Sequence, residues 1–537
     1  MMRRYNRVVL AIGLALSVAA CDDEFLTTAP TDRVSDDVFW KTQNDFVFAV
    51  NATYRNIIGI DQMYMDGATD IGYSQQYWMR QAIYARGTHD AQYGWTRDMW
   101  ASLYQGIAKA NEVLAQLENT EVLSDAARAE IEGQARFLRG YFYYELLWMF
   151  GDVPLLTKIP TVQEAREATR ASRADVFALI MSDLTAASEK LPNGWAASQR
   201  GRATKGAALA FKARAALYEA SYQKYAANNS ARANELFGTA RDAAQAVVNL
   251  GIYQLYPNYR NLFTNTGEAN TEVIFDYQVV AGQNGWRAWR GFAPASMGGE
   301  VDVTPTRVLV DMFEMTDGQP ISQSPLYKDD PVGMYENRDP RFYATVLYPG
   351  ATFNGRVYNS MPNSTTSDKL DRGNFYNTHT GYMPLKYVDP SDQTQPTNSG
   401  LNFIKMRYAD VLLMLAEARI ELGELGAGKS AIDQVRARVN MPPVAMGSQA
   451  QLIAAVRHER AVELAWEGLR LADIRRWRIA ETVMPGRVSG IDYTENGQVV
   501  TATSDDVRVF NSSRDYLFPI PSTERDLNQN LQQNPGY

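Results

Sequence analysis

The sequence predicts a mostly α-helical protein, a superhelix of stacked helix pairs with an irregular, loop-rich part packed against it. Three observations predict this. Apolar residues recur every three or four positions through much of the first half, the period of a helix with one buried face. Between 252 and 400 that period disappears and Pro, Gly, Asn and aromatic residues become frequent, as in a functional or covering loop layer. Helical spacing then returns from Tyr408 onward.

Taken in order, Thr42 is a candidate N-cap for a helix carrying Val47, Val50, Tyr54 and Ile57 on one face. Trp100, Leu103, Ile107, Ala110, Leu114 and Leu117 form a longer stripe. After a turn near Ser124, Ile131, Ala135, Leu138, Phe142 and Leu146 form another, which ends at Gly151 with Pro154 beyond. Ser172 and Asp175 have capping-box spacing and open a helix through Phe177, Ile180, Leu184, Ala187 and Leu191, stopped by Pro192. An alanine-rich helix at 204–225 presents Ala210, Ala213, Leu217 and Ala220, and a shorter one follows through Ala240, Ala243, Val247 and Leu250. Small residues there let helices approach closely, which is how tetratricopeptide-like pairs stack. The strict signature of that repeat is incomplete, so the expectation rests on paired helices with short turns.

In the irregular middle, Val273-Ile274-Phe275 is a short β-like run. Tyr408, Val411, Leu412, Leu415 and Arg419, then Ile432, Val435 and Val439, restore helical spacing. A last helix starts at the Ser448/Gln451 capping box and runs towards Trp466. From Ser512 the tail is extended, with Pro519, Pro521 and Pro535.

The N-terminus carries different information. Arg3, Arg4 and Arg7 precede an apolar stretch from Val8 to Val18, then Ala19-Ala20-Cys21. This is the basic region, apolar region and small-residue cleavage site of a secretory signal. About eleven apolar residues are too few to span a bilayer. A cysteine directly after small residues is a bacterial lipobox, so Cys21 is the expected lipidation site. Two or more acyl chains on that residue anchor a protein stably where one does not. The expected organisation is a signal peptide at 1–20, a lipidated tether at 21–40, an N-terminal helical region at 41–265 and a C-terminal region at 266–537. The last divides into a loop-rich middle at 266–400, helices at 404–478 and the tail.

Composition excludes several function classes. Cleavage removes three of the 53 basic residues, against 61 acidic ones, which leaves the body at about −11 and argues against nucleic acid or anionic lipid as a partner. The chain has one cysteine, so no disulfide is expected within a monomer. The three histidines, His89, His379 and His458, are far apart and fit no metal-ligand spacing. No G-x-S-x-G elbow is present. Neither cofactor nor metal is expected. The run Gly423-Glu424-Leu425-Gly426-Ala427-Gly428-Lys429-Ser430 fits G-x-x-x-x-G-K-[ST], but a phosphate-binding loop must join a strand to a helix. Here helical sequence precedes it, so it reads as a turn between stacked helices.

The strongest constellation runs from Arg457-His458-Glu459-Arg460 through Glu463, Trp466-Glu467-Gly468 and Arg470 to Asp473-Ile474-Arg475-Arg476-Trp477. Physically it reads as a helix stopped at Gly468, with arginines crossing to the next helix through bidentate ion pairs. That is a structural clasp.

This stretch resembles the signature of the SusD/RagB family of outer-membrane nutrient-binding lipoproteins. Similar to the family, too, are Arg407-Tyr408-Ala409-Asp410-Val411-Leu412, the segment Ala416-Glu417-Ala418, and the closing Tyr516-Leu517-Phe518-Pro519-Ile520-Pro521 with Gln533-Asn534-Pro535-Gly536-Tyr537. Asn270 to Phe275, Asp317-Gly318 and Arg338-Asp339-Pro340-Arg341 match more weakly, and all run in family order. Behind Cys21, Asp22-Asp23-Glu24 resembles the acidic run that sends such lipoproteins to the exterior face of the outer membrane. The resemblance implies a non-enzymatic, TPR-like protein that captures oligosaccharide at the cell surface and serves as a lid on a SusC-like TonB-dependent transporter. It also implies attachment to the cell outer membrane by the lipid anchor alone. Alternatives are a RagB-like component that binds peptide, or an interaction scaffold without a ligand of its own.

The matching motifs are structural and assign no ligand contacts. Sugars offer apolar C–H faces to flat rings, with polar rims for Asp, Asn and Arg. Two clusters fit that description: Asp66, Asp70, Tyr73, Tyr77, Trp78 and Arg80, and then Trp286, Trp289, Arg290 and Phe292, flanked by glycines.

Overall fold

The computed structural model describes residues 39–361, 364–493 and 499–537. The signal, Cys21, the acidic triplet and nearly all of the tether lie outside the described residues. Helices dominate and strands are few and short, as the sequence predicts.

The first half is a stack of helices: α1 (Gln43–Tyr54), α2 (Gly94–Glu118), α3 (Asp125–Phe150), α4 (Arg173–Lys190), α5 (Lys205–Tyr225) and α6 (Ser230–Asn249). Thr42 caps α1 with a full capping box, and Ser172 Oγ accepts the Asp175 N–H at the start of α4, satisfying amides that have no partner within the helix. Successive helices pack on one another, α2 on α3, α3 on α4, α4 on α5 and α5 on α6. The approach of α2 to α3 requires Gly106, where a Cβ would lie 2.5 Å from the Phe142 ring. Between α5 and α6, Ala210, Ala213, Ala220, Ala240 and Ala244 are buried. The sixth helix is nearly as long as the fifth, 20 residues against 21. Its polar first turns had concealed its start.

The second half supplies α7 (Tyr408–Glu421), α8 (Leu425–Ala437), α9 (Gln449–Glu463) and α10 (Arg470–Arg476). Helix α7 packs on α6, α8 and α9, so it joins the two halves. The phosphate-loop look-alike is the α7–α8 turn: Gly423 has φ +82° and Lys429 Nζ pairs with Asp433 at 2.5 Å within α8. Two short antiparallel ladders flank the helices, β1 (Gly72–Tyr73) with β3 (Thr304–Pro305), and β2 (Val273–Tyr277) with β4 (Phe403–Arg407). A hairpin of β5 (Gly486–Tyr493) and β6 (Val499–Arg508) was not foreseen. The loop-rich part covers its own apolar core, which includes Trp289, Phe292, Phe342, Tyr387 and Trp466.

What joins these parts is charge. Glu463 at the end of α9 is fully buried and meets Arg341 at 2.9 Å, Arg407 at 2.6 Å and Arg438 at 2.5 Å. Arg407 also reaches Glu272 at 2.8 Å and Glu467 at 2.7 Å, and Lys386 pairs with Glu467 at 2.9 Å. Beside this lies a balanced second network. Arg460 bridges Asp410 and Asp473, Arg214 shares Asp410, and Arg476 spans Glu417 and Asp473. The signature residues are thus the clasp that their spacing suggested. Buried charges are tolerated only when paired and hydrogen-bonded. Burial pushes the Asp410 carboxyl up, but Arg214 and Arg460 outweigh it and hold the group at about 2, below its ordinary 3.8. Glu463 is likewise held well below the usual carboxylate range, burial being overcome by Arg438, Arg407 and Arg341.

Two outcomes are expected. Glu463→Gln leaves three guanidinium groups short of their partner and lowers unfolding stability by about 3–5 kcal/mol, read as a shift in urea midpoint. The folded value of Asp410 is depressed, so its stabilisation is complete above about pH 4 and is lost as pH falls through about 2, about 2 kcal/mol from this group alone. Urea titrations that gave one midpoint at pH 5 and pH 2.5 would contradict it.

Candidate functional site

The segment from Asp61 to Ala85 is built by what it buries. Asp66 is fully buried and its Oδ2 accepts the Gly468 N–H at 3.2 Å. Burial pushes its carboxyl up to about 7. Gly468 itself has φ +70°, and a Cβ there would lie 1.8 Å from the Gln62 carbonyl oxygen, so only glycine fits the corner between α9 and α10. Asp70 receives two hydrogen bonds from Arg470, at 2.9 and 2.7 Å. Tyr73 is buried and donates to Asp506 at 2.5 Å. These three side chains hold the backbone inside the protein and present no surface to a ligand, contrary to the expectation for the first cluster. Charged and phenolic groups normally lie outside; here each has an internal partner hundreds of residues away.

The next residues turn outward. Gln75 Nε2 donates to the carbonyls of Val301 at 2.8 Å and Asn377 at 3.0 Å, and Gln76 Nε2 to that of Glu300 at 3.0 Å. Both glutamines are buried, so they staple the 74–79 loop to two other loops. Tyr77 and Trp78 then project at 60% and 46% exposure. Phe375 joins them, with ring centroids 5.5 Å from Tyr77 and 5.2 Å from Trp78, all edge to face. Arg80 stands beside them, paired with Asp98 at 2.6 Å and half exposed.

The second cluster divides in the same way. Trp289 is buried, donates from Nε1 to the Met297 carbonyl at 2.9 Å, and stacks on Phe353. Phe292 is buried between Tyr64 and Trp286. Both are core residues, because flanking glycines made a packed turn look like an open loop. Trp286 is mostly buried, pinned by Nε1 to the Leu401 carbonyl at 2.9 Å. Arg290 is exposed and pairs with Glu300 at 2.6 Å, and Arg287 pairs with the same carboxylate.

The outward residues of the two clusters face one another. A cleft of about 930 Å³ lies between them, lined by Trp78, Arg80, Trp286, Arg287, Arg290 and Glu300. Burial favours protonation of Glu300, but Arg290 and Arg287 outweigh it and hold the carboxyl below its usual value. Asp302, behind the rim, is pushed up to about 6 by burial against the pull of Arg287, and accepts from Tyr64 Oη at 2.9 Å. The rim therefore carries two arginines around a charged carboxylate. Among the described residues no group of three or more His, Cys, Asp or Glu side chains is placed to hold a metal ion. The cleft can stack a flat apolar face on Trp78 and hydrogen-bond hydroxyls along the rim. Sequence reasoning missed Phe375, Arg287 and Glu300. The Phe375-Tyr376 pair, beside Gly373 and Asn374, meets the same criterion that selected Trp286.

Comparison with known proteins gives a consistent result. The family model described as the SusD family matches residues 263–537, and one described as starch-binding, associating with outer membrane, matches 37–217. A SusD-like protein of Formosa agariphila is 26% identical over 573 aligned residues covering all of both chains. A solved SusD-like carbohydrate-binding protein of Bacteroides fragilis is 28% identical, with TM-score 0.82 over 92% of this chain and 100% of that one. A second SusD-like protein of the same organism, also 28% identical, has TM-score 0.80 over 95% and 100%. No helix among the described residues is long and apolar enough to cross a membrane.

The division between buried and exposed rings is testable by stability alone. Trp289→Ala is expected to cost about 3–5 kcal/mol in urea unfolding. Trp78→Ala stays within about 1 kcal/mol of the parent. Equal losses for the two would contradict the assignment.

Proposed function

The chain belongs to the SusD family, and on that premise we propose that it is a non-catalytic, outer-membrane-associated lipoprotein that captures oligosaccharide in the Trp78 cleft and delivers it to a SusC-like TonB-dependent transporter. The observation that carries the ligand class is the exposed three-ring platform of Tyr77, Trp78 and Phe375 beside a charged rim. Exposed large aromatics clustered together are costly in water and mark binding surfaces. Flat rings match the C–H faces of pyranose units, while Arg80, Arg290 and Glu300 offer donors and acceptors to hydroxyl groups. The neighbour named as carbohydrate-binding and the family model named for starch binding support the same ligand class.

The lipid attachment through Cys21 rests on the lipobox, and the exterior orientation on Asp22-Asp23-Glu24. The transporter partner rests on family membership. Trp78, Arg80, Trp286 and Arg290 in the cleft, with Tyr77 beside it, are the proposed ligand contacts from the two predicted clusters, joined by Phe375 on the adjoining ring platform.

Isothermal titration of the purified protein against a panel of neutral and acidic oligosaccharides is expected to find a binder. Trp78→Ala should weaken that binder by about tenfold or more, as loss of a central aromatic anchor does. Binding by peptides with none by glycans would overturn the ligand class. An unchanged constant in Trp78→Ala would overturn the site.

A further inference from the structure

A second cavity, with no residue in common with the aromatic cleft, lies where α10 meets α3, α4 and α5. Its volume is about 150 Å³ and its lining includes Arg173, Arg475, Arg476 and Arg478. Two of these are committed. Arg173 pairs with Glu219 at 2.6 Å, and Arg476 with Glu417 at 2.6 Å and Asp473 at 2.8 Å.

The other two are not. Arg475 is 95% buried, being 5% exposed. Its Nε donates to the Tyr516 carbonyl at 3.0 Å, yet Nη1 and Nη2 are buried with no hydrogen-bond partner. One face of its guanidinium is covered by Phe518, whose ring centroid is 4.5 Å away, so the free edge with both amino groups is what remains to be satisfied. No carboxylate among the described residues is within ion-pair distance of it. Arg478, half-buried at the end of α10, lies flat on the Tyr516 ring at 3.9 Å and also has no ion pair among the described residues. Glu481 acts on Arg478 only at longer range, from an exposed position. Tyr218 and Tyr516 line the same cavity.

An unsatisfied buried guanidinium is expensive, because its desolvation is not offset. Elsewhere in this protein's interior such groups are met by carboxylates, as Arg407 and Arg460 are, or by backbone carbonyls, as Arg338 and Arg508 are. Here Arg475 and Arg478 line a cavity whose wall holds no carboxylate, and the two Arg475 amino groups are donors with no acceptor. A water molecule would supply acceptor lone pairs but no charge. The guanidinium fork matches two oxygens of a carboxylate, phosphate or sulfate group in bidentate fashion. We propose that this cavity is an oxyanion-binding site, in which Arg475 engages two oxygens of the ligand and Arg478 neutralises it from the mouth.

The test is thermal unfolding of the purified protein in sodium sulfate, sodium phosphate or sodium acetate, each against sodium chloride at equal ionic strength. At least one oxyanion should raise the midpoint along a saturating curve, as a ligand that binds only the folded state does. General salt stabilisation by sulfate is non-saturating and common to all variants. Arg475→Gln should weaken the saturable component by about tenfold or more, as loss of a charged hydrogen-bonding partner does. Arg478→Gly should do the same without loss of the fold, because Arg478 has φ +55° and glycine is the residue that prefers that conformation. It decides the matter if Arg475→Gln does not fold. Equal midpoint shifts in the parent and Arg478→Gly, or no saturable shift with any of the three anions, would overturn the proposal. Glycan capture at the Trp78 cleft is unaffected by either result.

Discussion

Glu463 is the point on which the rest of the molecule depends. It is a carboxylate with no access to water, and it is stable there only because Arg341, Arg407 and Arg438 reach it from three separate parts of the chain. Arg341 comes from the loop-rich middle, Arg407 from the strand leading into α7, and Arg438 from just beyond the end of α8. An apolar core would tolerate small shifts between these parts. A buried charge does not, because any displacement leaves an ion without its partner in a medium of low polarity. The network therefore fixes how the helical scaffold and the loop-rich layer meet.

The same device fixes the cleft at a distance. Asp66 and Asp70 are drawn inward to Gly468 and Arg470, the residues that follow the clasp in sequence. With those two anchored, the chain stays buried through Gln76, and the stapling glutamines deliver Tyr77 and Trp78 to the surface next to Phe375. The exposed aromatic platform thus follows directly on a segment anchored by its buried carboxylates. Arg475 belongs to the same signature and obeys the same physics with the opposite outcome: it is buried without a carboxylate.

The helices were legible because their signals are local. A three-and-four spacing, a capping serine or threonine and a terminal glycine all act within a few residues, and the starts of α1, α3, α5 and α9 and the end of α3 follow from them, whereas α1 and α9 end three or more residues earlier than their apolar spacing suggests. The clasp was legible for a related reason, since alternating Glu and Arg on one helix needs partners somewhere. What one sequence does not contain is the partner's address. Asp70 looked like a polar rim because its arginine is 400 residues away, and Trp289 looked like a loop aromatic because its neighbours are glycines. The β5–β6 hairpin was overlooked although Asn496-Gly497, a turn pair typical of hairpins, stands between its two strands in the sequence. Convergence of Trp78 and Trp286 on one cleft is a property of the tertiary structure alone.

The distance between Asp70 and Arg470 has a kinetic side. Closing a loop of that length costs more chain entropy than forming local helices and nearby pairs, and folds rich in such contacts are slow. Until it forms, the carboxylates of the 61–73 segment remain in water and Tyr77, Trp78 and Phe375 have no fixed relation to one another. The proposed binding surface is complete only once this contact has closed, and a chain in which it is open is unable to display it. Competence to bind doubles as a certificate of completed folding.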